Sequence, residues 1–117
     1  MTTGTIPGLI QAEVLQGDFV RADVEGVYTS DLLSDVLANG RNTNVLVTIQ
    51  AHKNTVAVAT VVDISLIIIC NSRPIIDDMV TAASEAKIGI VRTKLSQFEV
   101  SGLLWSALQR ERSAGRP

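Results

Sequence analysis

The chain has 117 residues, 46% of them hydrophobic and 19% charged, which describes one packed domain rather than a disordered segment or two units. A net charge of -2 lacks the clustered cations that phosphate-backbone binding needs, which excludes a nucleic-acid role. A single cysteine, Cys70, forms no disulfide within the chain, and no charged-then-apolar leader opens the sequence, so a cytoplasmic protein is expected.

Residues 1–11, with Pro7, two glycines and several threonines, read as a loose lead-in. Ala12 to Gln16 is a strand candidate that ends at the Gly17-Asp18 turn signal, and Val24 to Thr29 is a second one. Ser30 is a candidate helix cap, Asp31 suits a first turn, and Leu32, Leu33, Val36 and Leu37 recur at helical spacing, so a helix is expected over 31–39. Asn39-Gly40 then offers a left-handed stop.

Val45 to Ile49 is a β-branched run that reads as a buried strand. Thr55 to Val62 is open to two assignments: the return arm of a hairpin turning at His52-Lys53-Asn54, or a helix burying Ala57, Val58, Val61 and Val62. Leu66 to Cys70 is apolar on both faces, as parallel strands covered by helices are. Parallel pairing needs a crossover of about a dozen residues or more. The gap from Ile49 to Leu66 supplies one, which tilts 55–62 toward helix.

Pro74 suits a first helical turn, with Asn71 or Ser72 as caps and Ile76, Met79, Val80 and Ala83 as the apolar stripe of a helix over 75–87. Ile88 to Arg92 is a strand, and Ser96-Gln97-Phe98-Glu99 is a capping box opening a helix to about Arg110. That helix has two apolar stripes. One holds Val100, Leu103, Leu104, Ala107 and Leu108; the other holds Phe98, Gly102 and Trp105. A sheet face covers one stripe, so Phe98, Gly102 and Trp105 are the candidate interface with a second copy, the equal alternative being a Trp105 half-buried at the domain edge. Residues 110–117 read as a flexible tail. Strand alternating with helix from residue 45 onward predicts an α/β fold: a mostly parallel sheet with helices on both faces, one compact domain over 12–109.

The apolar stretch from Lys53 to Arg73 carries one charge, Asp63, at its centre. A carboxylate there costs about 2.5–3.5 kcal/mol on a membrane-insertion scale, and a helix followed by a strand explains the run without a membrane. The glycines form neither a dinucleotide fingerprint nor a phosphate loop. One His and one Cys make no structural zinc site. Asp31 and Asp35 on one helix face could hold a magnesium ion, but a solvated first turn explains them better, so no metal or cofactor is expected. Cys70, at the end of an isoleucine run, reads as an inert core thiol.

In open α/β sheets ligands gather beyond the carboxyl ends of the strands. Those ends carry Thr29-Ser30-Asp31, Gln50 to Asn54, Asn71-Ser72-Arg73 and Thr93-Lys94, with His52, Lys53, Arg73 and Lys94 as cations. Ordinary caps and turns use the same residue types, so this cluster is also what a plain turn set would supply.

The stretches YTSDLLSDVLAN (Tyr28 to Asn39), VTIQAHKNTVAVA (Val47 to Ala59) and IIICN (Ile67 to Asn71) resemble the DRTGG domain family over roughly residues 12–108. The name-giving segment falls in RADVEGV, where Arg21 and Gly26 match, while Glu25 and Val27 stand where the pattern favours threonine and glycine. The resemblance implies a fold similar to the N-terminal domain of HPr kinase/phosphorylase, and it makes residues 55–62 a helix. Such domains accompany phosphotransacetylases and CBS-domain pyrophosphatases, where they look regulatory or dimer-forming. Free-standing relatives accompany kinase-like ATPases and hydrogenase-type redox subunits.

The leading expectation is a non-catalytic, dimeric module that senses a small anionic ligand, such as a nucleotide, at the strand ends. Ser30, Asp31, Gln50, His52, Asn54, Asn71 and Thr93 would supply hydrogen bonds, and His52 a pH-dependent charge. The alternative is a structural adaptor that dimerises and docks a kinase-like or redox partner. An enzyme with His52 as general base ranks third, because no nucleophile or metal accompanies it.

Overall fold

Short aliphatic runs separated by helices build a sheet that largely follows chain order. The computed structural model describes residues 1–115. Its strands are β1 (Glu13–Gln16), β2 (Val27–Thr29), β3 (Val45–Thr48), β4 (Leu66–Ile69) and β5 (Gly89–Arg92), in the order β1-β5-β4-β3-β2. β2 to β5 are parallel, and β1 closes one edge antiparallel to β5.

Each parallel connection carries one helix: α2 (Leu33–Asn39), α3 (Lys53–Val61) and α4 (Asp77–Ala86). Crossovers share one hand, and the order from β2 to β5 never reverses, so all three helices lie on one face. Leu46, Ile67, Ile69 and Ile90 meet Val36, Val56, Ala59, Met79 and Ala83 there. Alternate residues point the other way. Val45, Val47, Leu66, Ile68 and Val91 pack against Ile6, Ile10, Phe19 and the inner side of α5 (Gln97–Ala114), at Val100 and Leu104. With both faces covered, every residue of β3 and β4 is buried, which is why neither run alternates with polar residues.

Segment 55–62 is helical, in α3, which ends at Val61, and the hairpin alternative falls; but α3 buries Thr55, Val56 and Ala59, while the expected inward residues Ala57 and Val61 are exposed. Several local expectations need correction. The lead-in is part of the core: a 3-10 turn (Thr3–Thr5) and α1 (Ile6–Leu9) place Ile6 and Ile10 at 0% exposure. Hydrogen bonds from Thr3 N–H to Ala22 O and from Val24 N–H to Met1 O tie this segment down. At the other end the helix continues to Ala114, so most of the expected tail is α5; 116–117 lie outside the described residues.

Helix α2 starts at Leu33, two residues later than expected, because Asp31 turns back toward β3. The Ser30 hydroxyl accepts from Leu32 N–H instead of capping the helix. Gly40 is right-handed (φ -79), and it is Asn42 (φ 67) that takes the left-handed position. Gly40 is needed for space, since a Cβ there would lie 2.6 Å from Val36 O. Pro74 precedes α4 by three residues, and the polar pair Asn71 and Ser72 forms a left-handed turn rather than a cap. The capping box is present as expected: Ser96 Oγ accepts from Glu99 N–H at 3.1 Å, and Glu99 Oε1 accepts from Ser96 N–H at 3.2 Å. Among the described residues no helix is long and apolar enough to cross a membrane.

Candidate functional site at the strand ends

The parallel register brings the ends of β2 to β5 to one side of the sheet. Thr48 pairs with Ile69 and Ile69 with Arg92, so the loops after them are neighbours. This is the rim on which the sequence places its candidate residues. Because the strand order has no reversal, the rim is an open edge rather than a crevice. Helices nevertheless flank it on both faces, with α3 starting on one side of β3 and α5 on the other.

Asp31 is the hub of the rim. Its Oδ1 accepts from Ile49 N–H at 2.9 Å, from the Thr48 hydroxyl at 3.1 Å and from the Gln97 amide at 2.9 Å. The Thr48 hydroxyl in turn accepts from Gln50 N–H at 3.1 Å. This carboxylate thus uses the donors at the tip of β3 that an incoming anion would need. It also lies outside α2, so Asp31 and Asp35 do not share a helix face. Asp35 belongs to another group. The Asn39 amide foremost, then the Ser30 and Tyr28 hydroxyls, hold its carboxyl below the usual range. The Tyr28 hydroxyl donates to both Asp35 oxygens at 2.9 Å, and its own pKa is raised, mainly by that bond.

The predicted residues therefore divide. Ser30, Asp31 and Thr93 are engaged in holding the fold: Thr93 is buried, donates to Ile10 O at 2.9 Å and accepts from Leu95 N–H. Among the described residues the side chains of Gln50, His52, Asn54 and Asn71 make no hydrogen bond within the chain, and His52, Asn54 and Asn71 are exposed. His52 stands at the cap position of α3 with extended backbone, and Thr55 N–H donates to its carbonyl. Asn54 turns into a depression of about 530 Å³ between α3 and α4, while Thr93 borders another of about 310 Å³ with Ser72, Arg92 and Lys94.

The turn after β4 is the unusual part. Asn71 (φ 59) and Ser72 (φ 50) are consecutive left-handed residues, and neither is glycine. Their N–H groups donate to Leu95 O and Thr93 O, locking the turn onto the loop after β5. Sequence reasoning placed Asn71-Ser72-Arg73 at the strand ends but left Ser72 out of the ligand contacts, and it gave Gln97 no part in the rim. An Asn-Ser pair directly after a buried strand was the available signal for the first. Nothing local announces the second, because Gln97 reaches Asp31 across 66 residues.

Phe98 (87% exposed), Gly102 and Trp105 (67% exposed) do lie on the outer surface of α5. Cys70 is buried; burial pushes its thiol up to about 12, with the Asp31 charge adding to the rise.

No family model matches the chain, and no curated protein matches it by sequence. A solved structure does: the CBS and DRTGG domains of the regulatory region of Clostridium perfringens pyrophosphatase, complexed with the activator diadenosine tetraphosphate. The TM-score is 0.67 at 15% identity, over 87% of this chain and 45% of that one. The chain thus spans less than half of its structural neighbour. The likeness is one of fold, and that fold is the one the DRTGG resemblance implied.

Proposed function

We propose that this chain is a non-catalytic regulatory module, working as a dimer, that senses a small anionic ligand of nucleotide type at the strand-end rim. The carrying observation is the left-handed pair Asn71-Ser72 at the tip of β4, beside the loop that holds Gln50, His52 and Asn54. Such conformations cost of order 1–3 kcal/mol each and gather at ligand clamps. The fixed turn leaves the Asn71 side chain exposed and without a partner in the chain, as His52 and Asn54 also are. Lys53, Arg73 and Lys94 lie in the same strand-end loops as this group and suit phosphate. Asp31 keeps one carboxylate oxygen out of its three-donor hub, and that oxygen suits a ribose hydroxyl. The structural neighbour, a regulatory region bound to a dinucleotide activator, supports the same ligand class.

Calorimetric titration with AMP, ADP, ATP and diadenosine tetraphosphate tests the rim. The expected result is saturable heat with at least one, weakened about tenfold by His52→Ala or Asn71→Ala. No heat with any of the four overturns it.

The adaptor reading draws on a separate observation, the exposed stripe of Phe98 and Gly102 on α5, which borders a different depression from Trp105. Two copies, or this chain and a kinase-like ATPase or redox subunit, would bury that stripe. Light scattering after size exclusion decides for the homodimer: a dimeric mass that Phe98→Ser halves supports it, and a monomeric mass at 100 µM or so removes it.

A further inference from the structure

Strand β2 has a neighbour on one side only, β3, and α5 packs over β2 and β3 on one face of the sheet. Between β2 and α5 lies a cleft of about 370 Å³, within the ~300–1,000 Å³ range of small-molecule sites. Val27 and Thr29 form one wall, Ser101, Trp105 and Leu108 the other, and Arg112 stands among the lining side chains. We propose that this cleft binds a phosphorylated purine or a similar flat heterocycle, stacked on Trp105, read at its edge by the backbone of Val27 and Thr29, and paired through its phosphate with Arg112. The proposal takes its ligand class from the nucleotide-sensing function above, but not its place.

The ladder fixes which backbone groups of β2 are free. Val45 N–H donates to Gly26 O, and Ser30 N–H donates to Val47 O, so the even-numbered residues of this segment face β3. In a strand the intervening residues point their N–H and C=O to the opposite side. Val27 and Thr29, two of the residues lining the cleft, therefore present their backbone donors and acceptors at the free edge. Each N–H beside its C=O matches the donor–acceptor edge of a base. Two such residues are too few for a peptide ladder, since strands in sheets commonly run to about five or six residues.

The cleft is also preformed and unneutralised. Thr29 Oγ1 and Ser101 Oγ lie 2.8 Å apart and pin its two walls together. Trp105, 67% exposed, lines it and offers a stacking surface. Among the described residues Arg112 makes no ion pair, and the adjacent Glu111 is bound to the amino group of Met1.

Trp105 is the one tryptophan of the chain, so intrinsic fluorescence reports this cleft directly. The full chain is titrated with ADP, adenosine and inorganic phosphate. Saturable change with ADP, about tenfold weaker with adenosine and absent with phosphate, is the expected pattern. Arg112→Ala should bring ADP down to the adenosine affinity while leaving adenosine unchanged, and Phe98→Ser, outside the cleft, should keep the signal. Far-ultraviolet circular dichroism confirms that both exposed-site variants fold. The cleft is overturned by no fluorescence change with any of the three, or by a change that Arg112→Ala leaves intact. It is equally overturned by a signal lost in Phe98→Ser, which would report pairing of copies. If calorimetry shows ADP binding that His52→Ala weakens while Trp105 stays silent, this inference fails and the rim stands; the converse sinks the rim alone.

Discussion

The Gln97 amide donates to Asp31 Oδ1 at 2.9 Å, joining the first turn of α5 to the loop that leaves β2. The same oxygen holds Ile49 N–H and the fully buried Thr48 hydroxyl, so one atom fastens the rim around β3. Asp31→Ala orphans all three donors. Unsatisfied buried groups cost about 1–3 kcal/mol, and bonds to a charged acceptor lie at the upper end. Urea unfolding should show a loss of about 2–3 kcal/mol for Asp31→Ala and about 1 kcal/mol for Gln97→Ala. Equal stabilities for Asp31→Ala and the parent chain would remove the hub from the argument.

Glycine at position 89 is explained by Phe19. A Cβ on Gly89 would stand 2.6 Å from the Phe19 ring, which packs flat against the start of β5. Arg21 covers the outside of that ring, with its guanidinium carbon 4.5 Å from the centroid. Gly89→Ala should cost about 1–3 kcal/mol through overpacking. Combined with Phe19→Leu, the penalty should shrink by at least 0.5 kcal/mol or so in a double-mutant cycle, whereas strict additivity would separate the two residues.

The amino-terminal segment behaves as core. Ile10→Ala should destabilise by about 2–5 kcal/mol, as expected for a fully buried aliphatic side chain. A value under about 0.5 kcal/mol would return residues 1–11 to the status of a lead-in.

That segment also shows where sequence reading reaches its limit. The strands and helices from residue 45 onward were legible because covered parallel strands lack polar alternation, and because the spacing from Ile49 to Leu66 demands a crossover. Residues 1–11 were not, because two glycines and a proline hide a single turn whose only mark is Ile6, Leu9 and Ile10 at helical spacing. The rim was legible in outline for a related reason: polar tips after apolar strands reveal which loops converge. Which tips are free was not. Asp31 and Thr93 have the chemistry of ligand contacts, yet tertiary bonds from Gln97 and to Ile10 commit Asp31 Oδ1 and the Thr93 hydroxyl to the fold.

Cys70 gives a pH signature with a definite sign. Its thiol is held at about 12 in the native chain against 9.0 without the fold, first by burial and second by Asp31. Above pH 9 or so the unfolded chain releases this proton while the native chain keeps it, so stability falls as pH rises toward about 12. The slope is at most about 1.4 kcal/mol per pH unit. Relative to the parent, Cys70→Ala should flatten the decline between about pH 9 and 11. Native protein at pH 8 should also resist iodoacetamide, which reacts once urea unfolds the chain.

The central claim is that the tips of β3 and β4 hold a nucleotide-type ligand. Backbone amide mapping by nitrogen-15 NMR during an ADP titration tests it most directly. The account predicts saturable shifts concentrated in 50–54 and 71–73. Amides in both segments that stay fixed at millimolar ADP would contradict it.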